Sequence, residues 1–235
     1  MKAKSFLKFV NVVFLLGIIF LLSSCIDIEK PPRVDNVFVS KHISSYDVES
    51  IAILPIIPDD SSNTGGYFAT NHLFDILYDN YPSIDITDLQ WVRKFDNSIV
   101  NKEIQDLRTT QCFDLTEFEK SELGSNIIAE EYDAVLIGAI DSTDSTAGIF
   151  LAPDGSVRVW RTFCAFEYFL VSLKDGRVLW ATTCEGEAYN QMDNFFKKAY
   201  APMDMAISHG IDEMVQTFPK EIFKKTDENS GNGKL

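Results

Sequence analysis

Residues 157–187 read VRVWRTFCAFEYFLVSLKDGRVLWATTCEGE, and the fold turns on this stretch. Two runs rich in Val, Phe, Tyr, Trp and Thr flank Lys174-Asp175-Gly176-Arg177, and Asp-Gly is the favoured centre of a two-residue hairpin turn. On the first run Trp160, Phe166, Tyr168 and Leu170 share one face, while Val159, Phe163, Ala165, Phe169 and Val171 share the other. Both faces are mostly apolar, so the strand is expected to be central and covered by helices on both sides. A two-residue turn pairs Cys164 with Glu187 and Cys184 with Glu167. The two thiols then point to opposite faces and cannot bond, whereas a one-residue bulge would return them to a shared face.

Working outward, Ser50–Ile57 (SIAILPII) reads as a strand buried on both faces, and Tyr132–Ile140 (YDAVLIGAI) as another. Between them a helix is expected over about Tyr67–Asn80, with Phe68, Leu73, Phe74, Leu77 and Tyr78 at three- and four-residue spacing and Pro82 beyond its end. Gly65-Gly66 makes the turn into it. Strand, Gly-rich loop and helix suggest a nucleotide site, but GxGxxG and GxxxxGK are both missing, and Asp59 and Asp60 stand where phosphate would sit. Ser83–Ile86 is a short strand, followed by a weak helix capped by Thr87 or Asp88 and running through Leu89, Trp91, Val92 and Phe95. Asp96–Asp114 reads as a polar loop with some helix around Lys102–Leu107. Thr116 and Glu119 have capping-box spacing and open a helix to about Glu131, with Phe118, Leu123, Ile127 and Ile128 inward. The segment DSTDSTAGIFLAPDG mixes turn formers with an apolar island, Ile149, Phe150 and Leu151, which is either a partner patch or a flap packed on the sheet. A last helix runs from about Asp193 to Phe218, its stripe including Phe196, Met203, Ile207, Ile211 and Met214, with Pro202 kinking it or marking its true start. The expected class is α/β (α+β): a single domain with a mixed sheet of about four to five strands and helices packed on it.

The N-terminus carries an address. MKAK is basic, Phe6–Cys25 (FLKFVNVVFLLGIIFLLSSC) is an apolar run, and Leu22-Ser23-Ser24-Cys25 closes it with small residues. LSSC has the pattern of a bacterial lipobox, in which the cysteine thiol takes a diacylglyceryl group and becomes the first residue of the mature chain. The competing reading is a transmembrane anchor, but the run is short for a crossing and no basic cluster follows it. The expected division is a signal peptide at 1–24, a lipidated tether at 25–47 with a possible edge strand at Val37-Phe38-Val39, a domain at 48–220 and a disordered tail at 221–235. Ile26, rather than Asp, follows the cysteine and favours outer-membrane sorting, if the organism follows the enterobacterial rule. Losing Lys2, Lys4 and Lys8 of 21 basic residues leaves 18 against 35 acidic ones, so the charge moves from −14 to −17. That surface repels nucleic acid and anionic head groups, so the lipid on Cys25 must supply the membrane attachment. Cys112, Cys164 and Cys184 lack zinc-ligand spacing.

The opening strand SIAILPI, the segment EEYDAVLIGAI and the hairpin LVSLKDGRVLWA resemble, in the same order, a group of Gram-negative envelope lipoproteins. The group includes the curli-secretion lipoprotein CsgG, the penicillin-binding-protein activator LpoB, the N-terminal domain of TolB and small uncharacterised lipoproteins. The resemblance covers about residues 48–218. It implies a lipid-anchored envelope protein of mixed α and β structure that works by protein contacts. No long amphipathic hairpin of the kind a secretion barrel needs is evident in the sequence.

For catalysis, GxSxG, HExxH and CxxC are all missing, and His42, His72 and His209 are isolated in sequence. The expected function is therefore a non-catalytic outer-membrane lipoprotein facing the periplasm, without cofactor or metal. It acts through envelope proteins or self-association in envelope assembly, secretion or cell-wall regulation. The alternatives are a carrier of a small apolar ligand and a subunit of a CsgG-like secretion pore. A deep apolar pocket would favour the carrier, and a filled core the partner module.

Overall fold

In the computed structural model the hairpin at 157–191 sits at the centre of the sheet. The structure describes residues 26–28, 31–56, 64–86, 97–110, 113–191 and 202–223. The strands are β1 (Ile26–Ile28), β2 (Arg33–Val39), β3 (Ser50–Ile53), β4 (Asp85–Ile86), β5 (Ala134–Leu151), β6 (Val157–Ser172) and β7 (Val178–Gln191). They run in the order β2-β7-β6-β5-β3-β4, with β1 alongside the far end of β5. β3 is parallel to β4 and β5, β1 is parallel to β5, and the β5-β6-β7-β2 series is antiparallel. The sheet is mixed, as expected, but has seven strands rather than four or five. The additional ones, β1 and β2, come from the segment read as a tether. Arg33, Asp35 and Asn36 disguise β2 as linker, yet only an edge strand can carry so polar a sequence.

One face of the sheet packs under helix α1 (Thr64–Asn80) and the C-terminal helix α5 (Met203–Gln216). Ile51, Ile53, Leu136, Phe166, Tyr168, Leu170 and Trp180 meet Leu73, Leu77, Ile207, Ile211 and Met214 there. Pro202 caps α5, so it marks the helix start. The other face is covered at one end only, by α2 (Asn97–Thr110), α3 (Leu115–Glu119) and α4 (Glu122–Ala129). Ala52, Leu54, Val135, Ile137 and Val171 meet Ile104, Leu107, Phe118 and Ile127 there. Asp133 ties the two parallel strands together: its carboxylate accepts from the Ser50 amide at 3.0 Å and hydroxyl at 2.9 Å, and from the Glu49 amide at 2.9 Å.

Four local readings change, the first over Asp96–Asp114, where the expected polar loop with some helix is a continuous helix from Asn97 to Thr110. The single helix expected over 116–131 is two, because the Asp114 carboxylate caps α3 and the Ser121 hydroxyl then starts α4 by accepting from the Gly124 amide at 2.9 Å. The segment from Asp141 to Leu151 is not a loop but the outer half of β5, paired with β6 as far as Leu151–Val157. The hairpin turn is longer than two residues: the Ser172 amide donates to the Arg177 carbonyl at 2.9 Å, and Gly176 takes the left-handed conformation at φ 71°. An irregularity beside Leu179 then places Cys164 opposite Gly186 and Cys184 opposite Phe166, so the thiols share a face. Both are buried and neither is in a disulfide. The weak helix expected after Thr87, the tail at 224–235, Leu123's side chain, and Phe196 lie outside what is described.

Candidate functional site: an open groove and the far end of a long hairpin

Helices α2 to α4 stop short of β7 and β2, leaving a groove of about 400 Å³ on that face. Phe38 and Asn36 of β2 form one wall, Arg108 and Leu107 of α2 the other, and Glu167, Phe169 and Thr182 the floor. Glu167 is the one charge in the apolar half of β6, and its partner explains its presence: Arg108 forms an ion pair with it and reaches Asp141 at 2.9 Å. Burial lifts the Glu167 carboxyl above its ordinary range against the pull of Arg108. The groove is half open, and its apolar lining of Phe38, Leu107, Phe169, Val178 and Ala181 is interrupted by the Arg108–Glu167 pair and by hydroxyls, unlike an enclosed ligand cavity. Its rim is the edge strand β2, where Val37, Phe38 and Val39 are 46%, 45% and 40% exposed. β2 is bulged between Asp35 and Phe38, with Asn36 at φ 51°.

The second feature is the far end of β5 and β6. From Ile140 to Leu151 the strand extends on the order of 35 Å at about 3.3 Å per residue, with β1 paired to its last three residues. The apolar island is divided by strand alternation. Phe150 is 4% exposed, packed edge-on to Tyr189 at 5.4 Å and beneath the Arg161 guanidinium at 5.8 Å. Arg161 is held in turn by Glu187 at 3.7 Å, whose carboxylate also accepts from the Tyr189 hydroxyl. Ile149 and Leu151 turn the other way, at 39% and 40% exposed. So the island is partly flap and partly surface.

Cys25 and Cys112 lie outside the described residues, although Ile26, bonded to Cys25, begins β1. His72 donates from Nε2 to Asp212 at 2.9 Å, joining α1 to α5, and His209 donates from Nδ1 to the Glu187 carbonyl at 2.8 Å. Both histidines are engaged in helix packing. Among the described residues, no group of three His, Cys, Asp or Glu side chains is placed to hold a metal ion. Neither is any described helix long and apolar enough to cross a membrane. The Arg108–Glu167 pair was missed in the sequence; its signal was the lone acid in CAFEYFLV.

The sequence matches no family model and no curated protein. Solved structures of similar chain path include the PelC dodecamer from Paraburkholderia phytofirmans, at 11% identity over 79% of this chain and 96% of that one, with a TM-score of 0.45. Lipoprotein GNA1162 from Neisseria meningitidis matches at 12% identity over 71% and 98%, with a TM-score of 0.41. The LpoB C-terminal domain from Salmonella enterica matches at 10% over 63% and 85%, with a TM-score of 0.31. At such identities and scores these are likenesses of outline.

Proposed function

We propose that this chain is a non-catalytic lipoprotein of the bacterial envelope, held by a lipid on Cys25 and acting through protein contacts. We place it in the outer membrane, facing the periplasm. The observation that carries the reading is Leu22-Ser23-Ser24-Cys25 closing an apolar run behind a basic start. The contact surface we assign is the β2 edge. Its backbone faces away from β7 along an apolar Val37-Phe38-Val39 rim, and an added strand there would lay alternate side chains into the groove beside Phe38 and Arg108. The opposite edge, β4, is two residues long and offers little to pair with.

The carrier reading is less well supported, since the groove is half open to solvent and an ion pair, Arg108 with Glu167, stands in it. A pore subunit would need strands alternating apolar and polar over about 9–11 residues. The long hairpin exists, but Asp141, Ser142, Thr143, Asp144, Ser145 and Thr146 occupy successive positions on β5. The test is a photo-crosslinking residue at position 37 in the native envelope, with the same residue at exposed position 78 on α1 as control. Discrete adducts from position 37 alone are expected. Identical patterns from both positions, or none from 37, would contradict the edge-contact reading.

A further inference from the structure

We propose that the far end of the β5–β6 hairpin rests on the bilayer that holds the Cys25 lipid, with Ile149, Leu151 and Val157 as the contact. The inference depends on the lipid-anchor reading above. A tether would let the domain float free of its anchor, but the register leaves no slack. Ile26 pairs with Ile149, Asp27 with Phe150 and Ile28 with Leu151, all in parallel. Cys25 therefore lies one Cα step, about 3.8 Å, from a residue fixed beside Ile149. The acyl chains leave the protein where the hairpin ends.

That end carries the matching chemistry. Leu151 lies directly across from Val157, and Ile149 is two residues earlier on the same face. The three are 39%, 40% and 43% exposed on a chain that is otherwise strongly acidic. Phe150, between them, is turned away and sealed by Tyr189 and Arg161, so the exposed set is the half that needs a partner. The turn beyond them limits depth. Asp154 accepts from the Ser156 amide at 2.8 Å and its hydroxyl, bonds that hold the carboxyl below its ordinary range and therefore charged. The hairpin end meets the bilayer obliquely, on the face that carries the trio, so Ile149, Leu151 and Val157 lie on the acyl boundary while Asp154 stays among head groups. Because the contact is apolar, it needs no anionic lipid, in keeping with the acidic surface. The polar, Ser/Thr-rich stretch from Asp141 to Thr146 then spans the gap between bilayer and core.

The test uses the lipidated full-length mature protein in phosphatidylcholine vesicles whose acyl chains are brominated. An NBD-bearing residue is placed at position 151 or 157, or at position 78 as control. Co-flotation with vesicles reads the anchor, and NBD emission reads the seating. The expected result is flotation in every case, with a blue shift and bromine quenching at 151 and 157 and neither at 78. Leu151→Asp, with the probe at 157, is expected to float equally and lose the quenching. Flotation without quenching at 157 above that at 78 overturns the seating and leaves the anchor reading standing. Failure to float removes the anchor reading and the seating with it. Emission that shifts with protein concentration in detergent, and not on vesicles, assigns the patch to a second copy and overturns the proposal.

Discussion

Cys184 is 1% exposed on the face beneath α5, two positions along β7 from the residue opposite Cys164. Burial pushes its thiol from the ordinary 9.0 up to about 12. Above pH 9 the unfolded chain releases this proton and the folded chain keeps it, so the unfolded state binds fewer protons. Stability therefore falls as pH rises from 9 toward 12, at a limiting slope of about 1.4 kcal/mol per pH unit for one group. Tyr168, fully buried beside the two cysteines, acts in the same direction above pH 10. Urea unfolding across pH 8–11 checks this: Cys184→Ala is expected to flatten the alkaline decline, and an unchanged slope would contradict it. The geometry of these thiols was only partly legible in the sequence. Alternation along each strand was read correctly, but pairing depends on the turn. A longer turn and an irregularity beside Leu179 moved β7 by one position and reversed which thiols share a face.

At the scale of elements, α5 lies on β7 through two glycines. A Cβ on Gly186 would stand 1.8 Å from the Ala206 carbonyl oxygen and 2.8 Å from the Gly210 nitrogen. Neither atom is the end of a flexible side chain, so the helix itself must move. Gly186→Ala is expected to cost about 3 kcal/mol, on the order of 10 °C in melting temperature. Gly65→Ala, whose Cβ would meet Ile140 and Ile207 at 3.6 Å, is expected to be tolerated. Thermal denaturation of both variants checks the contrast; equal melting temperatures would contradict it. This crossing was invisible in the sequence because glycine carries no periodic signal, whereas the stripe of α5 from Met203 to Met214 was plain. The cap of α3 shows a similar limit. Thr116 and Glu119 had the right spacing, but Asp114 came first and its carboxylate took the free amides. β5 is expected over the nine residues Tyr132–Ile140 and spans the eighteen of Ala134–Leu151, because Ser, Thr and Asp beyond Ile140 look like turn formers. On a strand with little cover, the same residues are ordinary solvent-facing positions.

At the scale of the whole molecule, three features stand out. They are a sheet whose main core lies under α1 and α5, an apolar edge beside an open groove, and a long hairpin whose end adjoins β1. The central strands were legible because burial on both faces writes a continuous apolar run. The groove was not, since its residues come from β2, α2, β6 and β7 and meet only when the sheet forms. β1 and the first half of β2 are hidden for a related reason, since edge strands carry charge that reads as linker, whereas Val37-Phe38-Val39 is legible as an edge strand. The central claim nevertheless rests on Cys25, and the intact mass of the chain purified from its native envelope tests it most directly. The account predicts a chain beginning at Cys25 with a diacylglyceryl adduct on that residue, lost in Cys25→Ala. A chain that retains residues 1–24, or one that begins elsewhere and carries no lipid, would contradict it.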